Sequence, residues 1–116
     1  MKLEIEKITG PNCLTLDDGK SVYELIYPEL MAGKAVDLDF EGTKVFASPF
    51  FNGSIGLLFK DFTSEKLNTL LRVQNLSQNG TTVMRKVIEN SRNYYLSKPN
   101  QEAVNRAVKS HGEAER

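Results

Sequence analysis

Residues 36–62, VDLDFEGTKVFASPFFNGSIGLLFKDF, decide the fold because they join a strand to a helix. Apolar and acidic side chains alternate over residues 35–40, with Val36, Leu38 and Phe40 on one face and Asp37 and Asp39 on the other. A strand that is covered by helices on both sides is apolar along its whole length. Two carboxylates on one face therefore predict a sheet with helices packed on one face only.

The second half of this stretch predicts a helix that begins at Ser48-Pro49. Serine is a preferred N-cap, and proline is favoured at the first helical position because its missing N–H has no partner there. An amphipathic stripe follows, formed by Phe51, Ile55, Leu58, Phe59 and Phe62. Gly53 and Gly56 lie beside this stripe, and we expect them to let a neighbouring element approach the helix closely.

The region before the stretch predicts two strands and one helix. Residues 2–8 alternate in polarity, and a short apolar segment at residues 13–16 follows a Gly-Pro-Asn break, so we expect the two strands to form a hairpin. Ser21 and Glu24 have the spacing of a capping box, which predicts a helix from Ser21. Pro28 predicts a kink or a division into two helices, and Gly33 the end.

The region after the stretch predicts a short helix at residues 64–70, a strand at 71–75 and a helix at 81–97 capped by Thr81 or Thr82. The predicted order is β-β-α-β-α-β-α. It indicates an α/β fold with a four- to five-stranded mixed sheet and helices on one face. We expect a domain over residues 1–97 and a polar, partly helical tail over 98–116.

The composition favours a protein that is neither membrane-bound nor secreted. The chain has 116 residues, of which 40% are hydrophobic and 26% charged, and one cysteine, Cys13. No apolar run has the ~20 residues of a membrane span. The N-terminus alternates in polarity and does not resemble a signal peptide. We therefore expect a cytoplasmic protein.

Charge is divided unevenly along the chain. Residues 1–70 carry a net charge of −4 and residues 71–116 carry +4. This division favours an oriented protein contact or a homodimer. The basic strip of Arg85, Lys86 and Arg92 is interrupted by Glu89, so nucleic-acid binding is disfavoured.

The residues that usually carry catalysis are few. One histidine, His111, and one cysteine cannot build the usual zinc sites. No glycine-rich phosphate loop and no G-x-S-x-G turn occurs. We therefore expect no enzymatic activity, no metal and no cofactor, and an enzyme that uses Asp37 and Asp39 ranks last among the hypotheses.

The segment AVDLDFEGTKVFASPFFNGSIGLLFKDF resembles the STAS domain of anti-sigma-factor antagonists. The pattern DFEG…S.FF resembles more closely a STAS-like family of unknown function, whose members are bacterial or phage proteins. This resemblance implies that Ser48 is a phospho-acceptor and that residues 39–42 end the family's strand. It also implies a histidine-kinase-like ATPase as the partner. STAS antagonists usually have an aspartate before the serine, where this chain has Ala47.

Two main interpretations remain open. In the first, the chain is a regulatory protein-binding module switched by a phosphate on Ser48, whose negative charge suits a helix N-terminus. The candidate partner contacts are Asp39, Phe50, Phe51, Asn52 and Ser54. In the second, the chain is a structural adaptor or oligomerisation subunit, and Ser48 acts only as a helix cap.

Overall fold

The structure is a computed structural model that describes the backbone of residues 1–110 and the side chains of residues 1–95. The strands are β1 Lys2–Glu4, β2 Asn12–Cys13, β3 Val36–Asp39, β4 Val45–Phe46 and β5 Leu71–Gln74. The helices are α1 Glu6–Thr9, α2 Leu16–Met31, α3 Ser48–Phe51, α4 Ser64–Leu70 and α5 Gln78–Ser110. A π-helical segment, Asn52–Gly56, continues α3 without a break. The prediction for His111 lies outside the described residues.

The strands form two small parallel sheets, one of three strands and one of two. The larger has the order β1-β3-β5, and the smaller pairs β2 with β4. The prediction of a single mixed sheet with four to five strands was therefore wrong. The α/β class and the alternation of strands with helices agree with the prediction.

The predicted hairpin of the first two strands was also wrong. Ile5 adopts helical backbone angles, so β1 ends at Glu4 and the one-turn helix α1 follows. The chain then turns at Gly10, where φ is +75°. This detour separates β1 from β2, and each pairs in parallel with a strand from later in the chain.

The two faces of the larger sheet differ in polarity. Val36, Leu38 and Phe40 are buried to 1% exposure or less and face the helices. Residues that stand side by side in a parallel ladder share a face. The opposite face therefore carries polar side chains from all three strands, namely Lys2, Glu4, Asp37, Asp39, Arg72 and Gln74. The alternation predicted for residues 35–40 is confirmed.

The N-cap of helix α2 lies six residues earlier than predicted. Thr15 is the N-cap, and its hydroxyl accepts from the N–H of Asp18 at 3.1 Å. Ser21 lies inside the helix, where its hydroxyl donates to the carbonyl of Asp17. The helix continues through Pro28 to Met31, so it is not divided there.

The predicted stop at Gly33 is confirmed. Gly33 has φ +78°, its N–H donates to the carbonyl of Leu30, and the N–H of Lys34 donates to that of Glu29. These two bonds form a Schellman motif, which satisfies carbonyls at the end of a helix.

Helix α5 begins earlier and ends later than predicted. Ser77 caps it, because its hydroxyl accepts from the N–H of Gly80 and its carbonyl accepts from the N–H of Thr81. Thr82 donates to the carbonyl of Gln78 and is not a cap. Residues 98–110, predicted as a polar and partly helical tail, belong to this helix. Among the described residues, no helix combines the length and apolarity that a bilayer crossing requires.

Candidate functional site

Ser48 stands at the first position of a helical segment that runs over residues 48–58, called here the 48–58 helix. Ala47 is the N-cap, with extended angles of φ −137° and ψ 152°, and its N–H donates to the carbonyl of Cys13. The prediction that Ser48 is the N-cap and Pro49 the first helical residue was therefore wrong by one position. The bond between Ala47 and Cys13 holds Ala47 extended, so the helix begins with Ser48.

The hydroxyl of Ser48 is exposed and, within the part of the chain whose side chains the structure describes, it has no hydrogen-bond partner. A serine that capped the helix would have its oxygen occupied by a backbone N–H. Ser48 is therefore an exposed residue whose hydroxyl does not cap this helix in the described part of the chain.

Phe50 and Phe51 follow Ser48 but face the opposite way. They are exposed by 1% and 0%, and their rings pack edge to face with centroids 5.2 Å apart. Phe50 contacts the ring of Phe40 edge-on, and Phe51 stacks on Phe46. The prediction that these two rings form a partner surface was wrong, because they are the centre of the core.

The two polar candidates on this helix differ in burial. Ser54 is 1% exposed and donates to the carbonyl of Phe50 at 2.9 Å, so it too is removed from any partner surface. Asn52 is exposed and lies four residues after Ser48, close to one helical turn along the same side. Of the predicted contacts on this helix, Asn52 alone shares the exposed side with Ser48.

The π segment is held against the first turns of α2 by backbone contact. A Cβ atom on Gly53 would lie 2.6 Å from the carbonyl oxygen of Leu16. A Cβ atom on Gly19 would collide with the carbonyl oxygen of Phe50. Both positions therefore admit only glycine. The close approach predicted from Gly53 is confirmed, whereas sequence analysis missed Gly19, since nothing local distinguished it from a turn glycine.

A groove of about 420 Å³ runs between the π segment and α5, and sequence analysis did not predict it. Its lining includes Leu16, Asn52, Leu57, Ser91 and Tyr94. Leu16 and Tyr94 are 43% and 53% exposed, which is high for large apolar or aromatic side chains. π-Helical segments are rare and occur frequently at functional sites. The groove thus places apolar surface beside Asn52.

Asp39 does not have the solvated position that the alternation predicted. It is 6% exposed, and its Oδ1 accepts from Nδ2 of Asn75 at 2.8 Å and from the N–H of Glu41 at 3.0 Å. The ammonium of Lys2 lies 3.5 Å from its Oδ2. These hydrogen bonds, with that of Asn75 the strongest, lower the pKa of Asp39 below its ordinary value. Asp39 is therefore occupied by contacts within the domain.

Cys13 and the acidic side chains are further candidates for chemistry within the described residues. Cys13 is fully buried, and burial raises the pKa of its thiol, which makes it a poor nucleophile. No group of three or more potential metal ligands occurs within the described part of the chain. The candidate site is therefore the exposed Ser48 together with the groove beside Asn52.

The family described as "STAS-like domain of unknown function (DUF4325)" matches residues 18–81, which is more than half of the chain. The chain belongs to this STAS-like family. Neither a curated protein nor a solved structure matches the chain significantly.

The matched part of this STAS-like domain contains Ser48, the π segment and β3, together with most of α2. It ends within the first turn of α5 and leaves out β1. Membership points to a regulatory role and assigns no activity. The resemblance deduced from the pattern around Ser48 is therefore confirmed for the family.

Proposed function

We propose that this STAS-like domain is a non-enzymatic regulatory module that binds a protein partner through the exposed side of the 48–58 helix. A phosphate on Ser48 would control this binding. The observation that carries the proposal is the position of Ser48, which is exposed and whose hydroxyl has no partner among the described side chains, while the other side of the same helix is fixed in the core.

The proposed surface is smaller and more polar than the one predicted from the sequence. Ser48 and Asn52 form its centre, and the groove adds Leu16 and Tyr94. Val45, three residues before Ser48, is 47% exposed. Exposed apolar side chains that lie next to polar ones mark protein interaction sites.

A phosphate at Ser48 would change binding without changing the fold. The N-terminus of a helix carries partial positive charge, so the folded domain tolerates an anion there. The phosphate would add nearly two negative charges beside Val45 and Asn52. A partner that binds this surface with little water would then lose contact through repulsion and through the cost of desolvating the phosphate.

The resemblance to STAS domains suggests a class of partner for this proposal. Anti-sigma-factor antagonists, which the segment around Ser48 resembles, imply a histidine-kinase-like ATPase that binds the domain and phosphorylates its serine. The competing function is that of a structural adaptor, which would use the same surface without phosphate control.

Affinity purification from native cells with two matched variants tests the proposal. Ser48→Ala should retain the partner as the wild type does, and Ser48→Asp should lose it, while all three proteins keep the same melting temperature. Asn52→Arg changes the same side of the helix and should lose the partner whether or not a phosphate on Ser48 controls the binding.

The outcomes separate the two functions. Equal partner retention by Ser48→Ala and Ser48→Asp, with loss in Asn52→Arg, would reject phosphate control and leave the adaptor. Retention by all variants would reject the surface itself. Phe50→Glu is unsuitable as a probe, because a buried charge in place of Phe50 would unfold the domain.

A further inference from the structure

The larger sheet ends in two strands whose outer edges have no neighbour within the described residues. Its order is β1-β3-β5, so β1 and β5 are the outer strands. The N–H of Ile5 donates to Asp39 and that of Phe40 donates to Gln74, which fixes the direction of each backbone group. Because these groups alternate along a strand, the N–H of Glu4 and the N–H and C=O of Val73 point away from the sheet.

The charges across the polar face specify what should lie beside β5. Lys2, Asp37 and Arg72 stand in one row across the three strands, so their signs alternate as plus, minus and plus. Arg72 is 64% exposed and makes only a loose ion pair, with its Nε 3.8 Å from Oδ1 of Asp37. The next strand in this row should therefore bring a carboxylate to Arg72.

The helical face beside β5 is open and apolar. A cavity of about 280 Å³ is lined by Leu67, Leu71, Val73, Met84, Ile88 and Arg92, among others. Leu71 and Val73 are only half-buried, unlike Val36 and Leu38 on the central strand. A strand added beside β5 would need an apolar residue on the helical face, to fill this cavity. It would also need an acidic residue on the polar face, to contact Arg72.

We propose that this occupant is β1 of a second copy of the chain. Its sequence around Leu3 and Glu4 alternates apolar and acidic residues, and its own outer edge has no neighbouring strand in the described part of the chain. Pairing Leu3 of the second copy with Leu71 puts Glu4 of that copy beside Arg72. Met1, which is 48% exposed, extends the apolar surface at this edge.

The resulting contact is head-to-tail. The edge of β5 binds the edge of β1, and each added copy presents a new β5, so the assembly grows and does not close as a two-fold dimer. The net charges of −4 for residues 1–70 and +4 for residues 71–116 favour this orientation. This contact does not depend on Ser48 or on the proposed regulatory surface.

Light scattering after size-exclusion chromatography tests the contact on the full chain. As its concentration rises, the wild type should exceed the monomer mass of 13.0 kDa and should return to it at high salt. Glu4→Arg and Arg72→Glu should each stay monomeric. The double variant that carries both changes should assemble again, because the charges are exchanged.

Two proline variants test the direction of assembly. Glu4→Pro and Val73→Pro each remove an N–H that points outward, so the bonds to β3 remain and circular dichroism should be unchanged. Each variant alone should be monomeric, and an equimolar mixture should form 1:1 dimers and nothing larger.

Three results would overturn the proposal. The wild type could stay monomeric at every concentration, in which case the edges meet another protein or none. Glu4→Pro alone could still dimerise, which would indicate a two-fold contact between β5 edges. The mixture of the proline variants could also remain monomeric although both are folded.

Discussion

Asp39 is a buried carboxylate held by donors from three segments of the chain. They are Lys2 on β1, the N–H of Glu41 after β3, and the side chain of Asn75 after β5. Asn75 has φ +59°, a left-handed conformation that asparagine tolerates better than most residues. Asp39 therefore joins the ends of all three strands of the larger sheet.

The sequence predicts only half of this arrangement. Alternation over residues 35–40 places Asp39 on the polar face, because the apolar side chains must be buried together. Its two side-chain donors, Lys2 and Asn75, lie 37 residues before it and 36 residues after it, and no local pattern connects them. The buried state of Asp39 could therefore not be predicted.

Asp39→Asn should lower the stability of the domain at neutral pH. The pKa of Asp39 is lowered in the folded protein, so the ionised carboxylate stabilises the fold above the unfolded pKa, near ~4. This stabilisation is lost as the pH falls through the folded pKa. The urea midpoints of wild type and variant should differ at pH 7 and converge in acid.

Asp37→Asn provides the matched control on the same strand. Asp37 is half-buried, and its ion pair with Arg72 is loose, so the urea midpoint at pH 7 should change less than for Asp39→Asn. A midpoint difference for Asp39→Asn that stays constant down to pH 2 would contradict the role assigned to Asp39.

At the scale of elements, the contact between α2 and the π segment fixes the exposed side of the 48–58 helix. Glycines on both partners allow the backbones to touch. The sequence predicts this for Gly53, since glycine inside a helix costs stability unless close packing requires it. The partner helix could not be predicted, because Gly19 lies in an Asp-Asp-Gly sequence that equally indicates a turn.

Gly19→Ala should destabilise the domain by about 1–3 kcal/mol or more, since the new methyl group would meet the backbone carbonyl of Phe50. The carbonyl cannot move unless the π segment moves with it. The cost of this clash therefore exceeds the ~1 kcal/mol that alanine gains over glycine in helix propensity. Urea unfolding measures the difference.

Gly56→Ala is the control for this substitution. Its new methyl group would lie 2.7 Å from the hydroxyl oxygen of Ser91, which can rotate away, and 3.3 Å from the carbonyl oxygen of Phe51, which is a tight contact but no collision. We expect a change within about 1 kcal/mol of zero, because helix propensity offsets the contact. Equal losses at Gly19 and Gly56 would contradict the backbone contact described for α2.

At the scale of the whole molecule, strand pairing is the feature that the sequence predicts least well. The larger sheet joins residues that are more than 30 positions apart. The alternating pattern of one strand does not indicate which other strand it pairs with. A hairpin was expected because strands that follow each other usually pair. The helix α1 and the turn at Gly10 prevent it.

Amide hydrogen exchange in dilute protein checks this topology. Leu38 and Gln74 point their N–H groups into the larger sheet and should exchange slowly, whereas Val73 and Glu4 point outward and should exchange fast. The alternation between Val73 and Gln74 on one strand is an internal control. Slow exchange at both would mean that another strand covers β5 in the monomer.

Phosphopeptide analysis of residues 45–60, from protein purified out of its native cells, tests the central claim most directly. This peptide holds two serines, one exposed at the start of the 48–58 helix and one that is 1% exposed and bonded to Phe50. We predict a phosphate on Ser48 and none on Ser54. A phosphate on Ser54, or an unmodified Ser48 under every growth condition, would contradict the role proposed for Ser48.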